Sequence, residues 1–338
     1  MVIVAAPPSS VGATLPTWQM AMQSAIRSGV ALCRQLGLPA SYEQQAREVE
    51  AGFPVFAPLE YVSRMTPGDP GCPLLRQVLP LGEELIVRED FTHDPVGDIV
   101  AERTPGLLQK YAGRVLLITT SQCAVHCRYC FRREYPYAQD PSYPDRWRRP
   151  LEAIEADPTI EEVILSGGDP LTLSDARLAE LAKRLEAIPH VRRLRIHSRL
   201  PIVIPQRINA ELLDWLTGSR LTPVFVVHAN HPREIDDPVA GAFARLIAGG
   251  VPLLNQAVLL RGVNDDPLVL FDLCRKLVDL RVMPYYLHQL DRVHGAAHFE
   301  VSVERGRELM AELRARLPGY AVPRYVQEFT GEASKHPL

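Results

Sequence analysis

From Arg114 onward the chain alternates short apolar runs with helix-period segments, six units in about 180 residues. This alternation constrains the fold more than any other feature. The runs Arg114–Thr120, Val163–Leu165, Leu194–His197, Val224–Val227, Leu253–Leu260 and Pro284–His288 read as strands. Helical segments follow at Ser174–Ile188, Asn209–Leu216, Val239–Ala248 and Pro267–Leu280, with Ser174 or Asp175 as a cap and Gly218 and Gly249 as stops. A parallel return needs a crossover helix, so the pattern predicts an α/β fold built on a parallel sheet. Six units fall short of a closed eight-stranded barrel, and a partial, open (β/α)6 barrel over residues 113–300 is expected. Polar residues after each strand then gather at one rim, where α/β folds place their sites.

Residues 1–112 read as a mainly helical extension. Helices are expected over Trp18–Leu36, Ser41–Val49 and, opened by a proline, Pro58–Met65. Prolines at 54, 58, 67, 70, 73 and 80 keep these helices short, and Glu83–Glu102 reads as an acidic loop. No chemistry is legible in this region. Residues 301–338 read as a final helix and a tail carrying Lys335.

Composition narrows the partners. With 46% hydrophobic and 23% charged residues the chain can bury a sizeable core. A net charge of -3 lacks the basic excess of nucleic-acid binders. No apolar run approaches the roughly 20 residues of a membrane span. Met1–Pro8 lacks the basic flank of a secretory signal. Six scattered and clustered cysteines in 338 residues do not make a disulfide framework, so a reducing, cytoplasmic setting is expected.

Three of those cysteines, Cys123, Cys127 and Cys130, stand in a C-x3-C-x2-C spacing directly after the first strand. Such soft thiolates suit an iron–sulfur cluster or zinc. Structural zinc takes four ligands, usually as two C-x2-C pairs, yet Cys33, Cys72 and Cys274 are single. His126 could complete a zinc site only by straining its own short loop. Ordinary core thiols are the third reading. The ligand count favours a cluster whose fourth iron is left open to a ligand.

Other rim residues are ambiguous alone. Gly167-Gly168-Asp169-Pro170 follows a strand, where a turn needs glycine anyway, but it also lets backbone approach a ligand's amino group. His228 and Asn230 stand at another strand end, where an isolated histidine is usually structural. Arg114, Arg128, Arg132, Arg133, Arg195 and Arg199 either pair with acids or capture a carboxylate or phosphate. Lys335, near the C-terminus, is either solvated or a desolvated amine able to hold pyridoxal phosphate.

Together these motifs resemble two nested families. Cys123-x3-Cys127-x2-Cys130 is similar to the signature of the radical S-adenosylmethionine enzymes. There the open iron chelates S-adenosylmethionine, and an electron cleaves it to a 5′-deoxyadenosyl radical. Ser166–Leu171, Arg195–Arg199, Pro284–His288 and Gly331-Glu332-x2-Lys335 add a resemblance to the lysine 2,3-aminomutase family, in order along most of the chain. It is closest to that family's short branch, which makes (R)-β-lysine for elongation factor P. The chain's end three residues after Lys335 fits that branch.

By position the resemblance implies a [4Fe–4S] cluster on Cys123, Cys127 and Cys130, and pyridoxal 5′-phosphate on Lys335. It implies S-adenosylmethionine contacts from Gly167, Gly168, Asp169 and His228. Arg132 would hold the substrate carboxylate, while Asp291 and Glu328 would clamp the ε-ammonium of lysine. Glu328 stands where the free-lysine enzymes have aspartate. Arg114, Arg199 and Gln256 would lie near pyridoxal phosphate, and Lys110 replaces an arginine of the long branch. The implied reaction is an isomerisation of L-lysine to (R)-β-lysine, with flavodoxin or ferredoxin as electron donor and elongation factor P and its lysyl ligase downstream. The alternatives are an aminomutase for free lysine or another amino acid in metabolism, and a non-catalytic, zinc-stabilised binding protein.

Overall fold

The computed structural model describes residues 17–137 and 147–338, so the expectation for Met1–Pro8 lies outside it. The first helical stretch breaks in two, α1 (Trp18–Gln23) and α2 (Gly29–Gln35). The apolar spacing predicts one helix over Trp18–Leu36, but the backbone of Ile26 instead exchanges two hydrogen bonds with Ala57, at 2.8 and 2.9 Å. Close packing fixes the restart: a Cβ on Gly29 would lie 2.7 Å from the Ala46 Cβ. Helices α3 (Ala40–Val49), α4 (Leu59–Val62) and α5 (Pro73–Arg76) follow, short because proline punctuates them.

Two strands then appear within the stretch expected to be helical or loop. β1 (Glu102–Thr104) and β2 (Leu107–Tyr111) pair antiparallel, and β2 pairs antiparallel with β3 (Arg114–Thr120). The sheet therefore starts before residue 113. After α6 (Arg148–Glu155) come β4 (Glu162–Gly167), α7 (Asp175–Glu186), β5 (Arg193–Ser198), α8 (Leu200–Val203), α9 (Ala210–Thr217) and β6 (Thr222–Val227). The alternation continues with α10 (Asp237–Ala248), β7 (Leu253–Val258), α11 (Pro267–Asp279) and β8 (Met283–His288). Asn209, Asp236 and Asp266 cap α9, α10 and α11, each accepting backbone N–H groups at the helix start.

The six expected strands β3–β8 are all present and pair in parallel, so the α/β reading holds. The C-terminal segment adds more. Beyond α12 (Val303–Arg316), β9 (Arg324–Gln327) joins β8 in parallel as a seventh strand. β10 (His336–Pro337) turns back antiparallel on β9, and the Leu338 N–H donates to the Tyr325 carbonyl at 3.0 Å. The ten strands run in one order from β1 to β10, an open sheet.

Burial along the strands locates the working face. In β4, Val163 and Leu165 are buried in the main core while Glu162, Ile164 and Ser166 are half-buried. Leu194 and Ile196 of β5 are likewise buried, and Arg193, Arg195 and His197 alternate with them. Period-two alternation puts the polar set on the face away from the covering helices. That core runs without interruption from Trp18 of the extension to Val282. Among the described residues no helix is long and apolar enough to cross a membrane.

Candidate active site

β3 empties into the cysteine loop, and all three thiols are free and half-buried. Burial, reinforced by Cys130, Asp169 and Cys127, pushes the Cys123 thiol well up; burial and Cys127 push Cys130 up to about 11. Three thiolates here need a cation. Among the described residues the three sulfurs do not all lie within 4.8 Å of one another. A single zinc, with Zn–S bonds near ~2.3 Å, draws its sulfurs closer than this. A multi-iron cluster spreads them. His126 is turned away, its Nδ1 2.8 Å from the Pro54 carbonyl and its ring stacked on Phe53.

The extension, silent in sequence, holds this loop. Arg128 is wholly buried and forms a bidentate pair with Glu84, Nε to Oε1 at 2.7 Å and Nη2 to Oε2 at 2.5 Å. Arg133 donates to the same carboxylate at 2.8 Å. Gln77 accepts from Arg199 at 2.6 Å and from Asn230 at 2.9 Å. Arg199 itself reaches Cys127 Sγ at 2.7 Å, Glu234 at 3.0 Å and the Tyr61 hydroxyl at 3.4 Å. Arg195 is taken up by Glu162 at 2.6 Å. For Arg128, Arg133, Arg195 and Arg199, and for Arg132 with Asp98, the acid-paired reading of the basic rim is the observed one.

The β4 turn is glycine for steric reasons. A Cβ on Gly167 would lie 2.7 Å from the Thr120 carbonyl, and one on Gly168 only 2.2 Å from the Gln122 carbonyl. Gly167 also sits at φ +115°. The turn is thus pressed against the mouth of the cysteine loop. Asp169 is buried and accepts from Ser198 Oγ at 2.7 Å and from the Arg199 N–H at 2.7 Å, while burial raises its carboxyl to about 6.

On the inner face an alternating ion network crosses the site. Arg132 Nε donates to Asp98 Oδ2 at 2.6 Å; Lys110 Nζ lies 2.5 Å from Asp98 Oδ1 and 2.7 Å from Glu328 Oε1; Glu328 pairs in turn with Lys335. Antiparallel pairing of β10 on β9 brings Lys335 back to Glu328, so the tail amine is tied down. Burial would raise the Glu328 carboxyl, but Lys335 and Lys110 outweigh it and hold it at about 2. Asp291 is near the same charges: burial, with Glu328, raises its carboxyl to about 7, and Lys335 and Lys110 oppose the rise.

Three histidines complete this wall. His228 Nε2 lies 3.4 Å from His197 Nδ1, and burial lowers His228 to about 4. His197 and His288 are held neutral by burial first, with Lys335 contributing to both. The Nε2 atoms of His197 and His288 are buried with no hydrogen-bond partner. Buried, unpaired polar atoms such as these can be satisfied by a polar ligand in this part of the site. Arg114 stacks over the Tyr111 ring at 4.6 Å; burial, with Glu328, raises the Tyr111 hydroxyl, and Arg114 opposes the rise. Gln256 of β7 is half-buried, in register with Tyr286.

Comparison with known proteins decides the family. Residues 117–274 match the radical SAM superfamily. The chain is 45% identical over 322 residues to an L-lysine 2,3-aminomutase of Escherichia coli (strain K12), covering 95% of this chain and 94% of that protein. The chain belongs to the L-lysine 2,3-aminomutase family. The Haemophilus influenzae member is 43% identical over 94% of both chains, and the Clostridium subterminale member 40% identical over 82% of this chain and 67% of its own. Membership in this radical SAM family implies a [4Fe–4S] cluster and S-adenosylmethionine, and the thiols fit that cluster.

Seen from this aminomutase family, the structure gathers Arg132, Asp291, Glu328 and Lys335 around one network. Arg199 is turned instead toward Cys127. Asp98, which bridges Arg132 and Lys110, is absent from the sequence reading, as are Glu84 and Gln77. All three are lone polar residues in loops or short helical turns, with no motif around them.

Proposed function

We propose that this family member is an isomerase that converts L-lysine to (R)-β-lysine, with pyridoxal 5′-phosphate held by Lys335. The observation that carries the reading is the Arg132–Asp98–Lys110–Glu328–Lys335 network. It supports a substrate with a carboxylate at one end and a cation at the other. When bound, the cluster with S-adenosylmethionine supplies the radical that starts the reaction, and pyridoxal phosphate carries the migrating amino group.

Cys123, Cys127 and Cys130 would ligate the cluster, with Gly167, Gly168, Asp169 and His228 facing S-adenosylmethionine. Asp98 keeps the Arg132 guanidinium aimed into the site, where it would take the substrate carboxylate. Arg114, Arg199 and Gln256 would contribute to the pyridoxal phosphate surroundings, Arg199 after leaving Cys127. Charge balance gives Glu328 its role. Apart from the cofactor lysine Lys335, two cations, Arg132 and Lys110, stand against three acids, Asp98, Glu328 and Asp291. The ε-ammonium of lysine would supply the third cation. A substrate with a second carboxylate would instead meet Asp291 and Glu328 as like charges.

The resemblance to the short branch supports delivery of the product to elongation factor P through its lysyl ligase, with flavodoxin or ferredoxin supplying the electron. A cytoplasmic setting follows from such partners. The test is a competition assay on the anaerobically reconstituted protein. Equimolar L-lysine and L-glutamate are offered with S-adenosylmethionine and dithionite. Loss of lysine alone, abolished in Cys127→Ala, is expected; equal consumption of glutamate would overturn the substrate assignment.

A further inference from the structure

Outside this network, His93, Glu134 and His294 bring their ligand atoms within 4.8 Å of one another. They come from three separate segments. Thr92 and Val293 form an isolated parallel bridge; the Thr92 N–H donates to the Arg292 carbonyl at 2.8 Å, and the His294 N–H to the Thr92 carbonyl at 3.2 Å. His93 and His294 each follow a bridged residue, so their side chains leave on the same side. Glu134 arrives from the cysteine loop, four residues after Cys130. Its neighbour Arg133 is fixed by Glu84 and lies so close to Gly295 that a Cβ there would be 2.8 Å from Arg133 Nη1.

We propose that His93, Glu134 and His294 form a binding site for one divalent transition-metal ion of the zinc class. The two Nδ1 atoms are 3.3 Å apart, and His294 Nδ1 is 3.3 Å from Glu134 Oε2. Ligand atoms on a tetrahedral ion with bonds of ~2.0–2.1 Å stand about 3.3 Å apart. The third edge, His93 Nδ1 to Glu134 Oε2 at 2.5 Å, is a hydrogen bond that opens by less than about 1 Å when an ion replaces the shared proton. The imidazole rings stand at 85° to each other with centroids 4.2 Å apart, so both nitrogens can face one point without the rings stacking. Without an ion, two ring nitrogens compete for a single carboxylate oxygen.

Two imidazoles and a carboxylate suit zinc and its first-row neighbours and disfavour magnesium or calcium, which take oxygen ligands. The side chain of His93 is 74% exposed and those of Glu134 and His294 33%, leaving a fourth position open to water. The ion would join the segment leading to Asp98, the loop carrying Arg132 and the loop after β8 carrying Asp291. It would therefore clamp the rim of the site from outside.

The experiment titrates the cluster-loaded full-length protein, freed of loose metal by a mild chelator, with Zn2+ against a chromophoric zinc indicator. Iron and sulfide are measured in parallel. One zinc per chain is expected, with affinity weakened about tenfold or more in His93→Ala and in His294→Ala. Iron and sulfide should stay at the parent level. His93 is exposed enough that its truncation spares the fold. Absence of zinc uptake by the parent, or parent-like uptake in both histidine variants, would overturn the proposal. Failure here leaves the lysine reading standing, because no residue of this trio belongs to the network that carries it.

Discussion

Asp98 and Arg132, 34 residues apart in sequence, are joined by a 2.6 Å hydrogen bond at the centre of the site. Both side chains are almost wholly buried, and Lys110 shares the carboxylate at 2.5 Å. Burial would raise the Asp98 carboxyl, but Arg132 and Lys110 overcome it and hold it below its usual range. On the proposed reading Asp98 is a positioning residue: it holds Arg132 and Lys110, the two cations that would border the substrate.

Asp98→Asn removes the charge but keeps the shape. A buried pair broken on one side costs about 3–5 kcal/mol, because two cations lose their partner. Lysine kcat/KM should fall about a hundredfold, mostly through KM, as Arg132 loses its aim. Asp98→Glu should recover part of it. Unchanged KM in Asp98→Asn would remove the positioning role.

Asp291 gives the pH dependence. Its carboxyl is raised to about 7 by burial and Glu328, so it takes up a proton as the pH falls through 7 and loses its attraction for an ammonium group. Lysine kcat/KM should drop about tenfold per unit below pH 7, and Asp291→Asn should be weak and flat over this range. The stability sign is opposite. A raised carboxyl favours the protonated fold, so its contribution is lost as pH rises from the unfolded value through 7. The thermal stability of Asp291→Asn relative to the parent should therefore grow between pH 4 and pH 7. A pH-independent difference would contradict the raised carboxyl.

Glu84 anchors the cysteine loop from the extension. Glu84→Ala strands Arg128 and Arg133 in a buried site, with a loss of about 3–5 kcal/mol in denaturant unfolding. Cluster retention should suffer with it, read as iron and sulfide per chain. Full stability and full cluster content would show that the extension is dispensable for the loop.

Lys335→Ala should abolish the visible absorption of protein-bound pyridoxal phosphate while leaving iron and sulfide intact. The variant also releases Glu328 from one of its two lysines, so the Glu328 carboxyl should rise. Persistence of the absorption would remove Lys335 from its role.

The parallel strands and the cysteine loop were legible because their signals are local. Runs such as Arg114–Thr120 are β-branched and bounded, and thiol spacing is read directly. β1, β2 and β9 were not legible: Glu102–Thr104, Leu107–Tyr111 and Arg324–Gln327 are short, with at most two consecutive buried apolar residues each, and only pairing with neighbours makes them strands. β9 and β10 matter most, since they convert a tail lysine into a partner of Glu328. The break between α1 and α2 was hidden because the apolar spacing continues through it. Asp98, Gln77 and Glu84 could not be singled out, because their meaning lies in arginines distant in sequence. The arginine-rich rim misled in part, as most of those guanidiniums serve internal acids.

The most direct measurement is chiral analysis of the product from anaerobic incubation with L-lysine, S-adenosylmethionine, pyridoxal phosphate and a reductant. The account predicts (R)-β-lysine from the parent and none from Lys335→Ala or Cys127→Ala. Unchanged L-lysine from a parent protein loaded with both cluster and pyridoxal phosphate would contradict it.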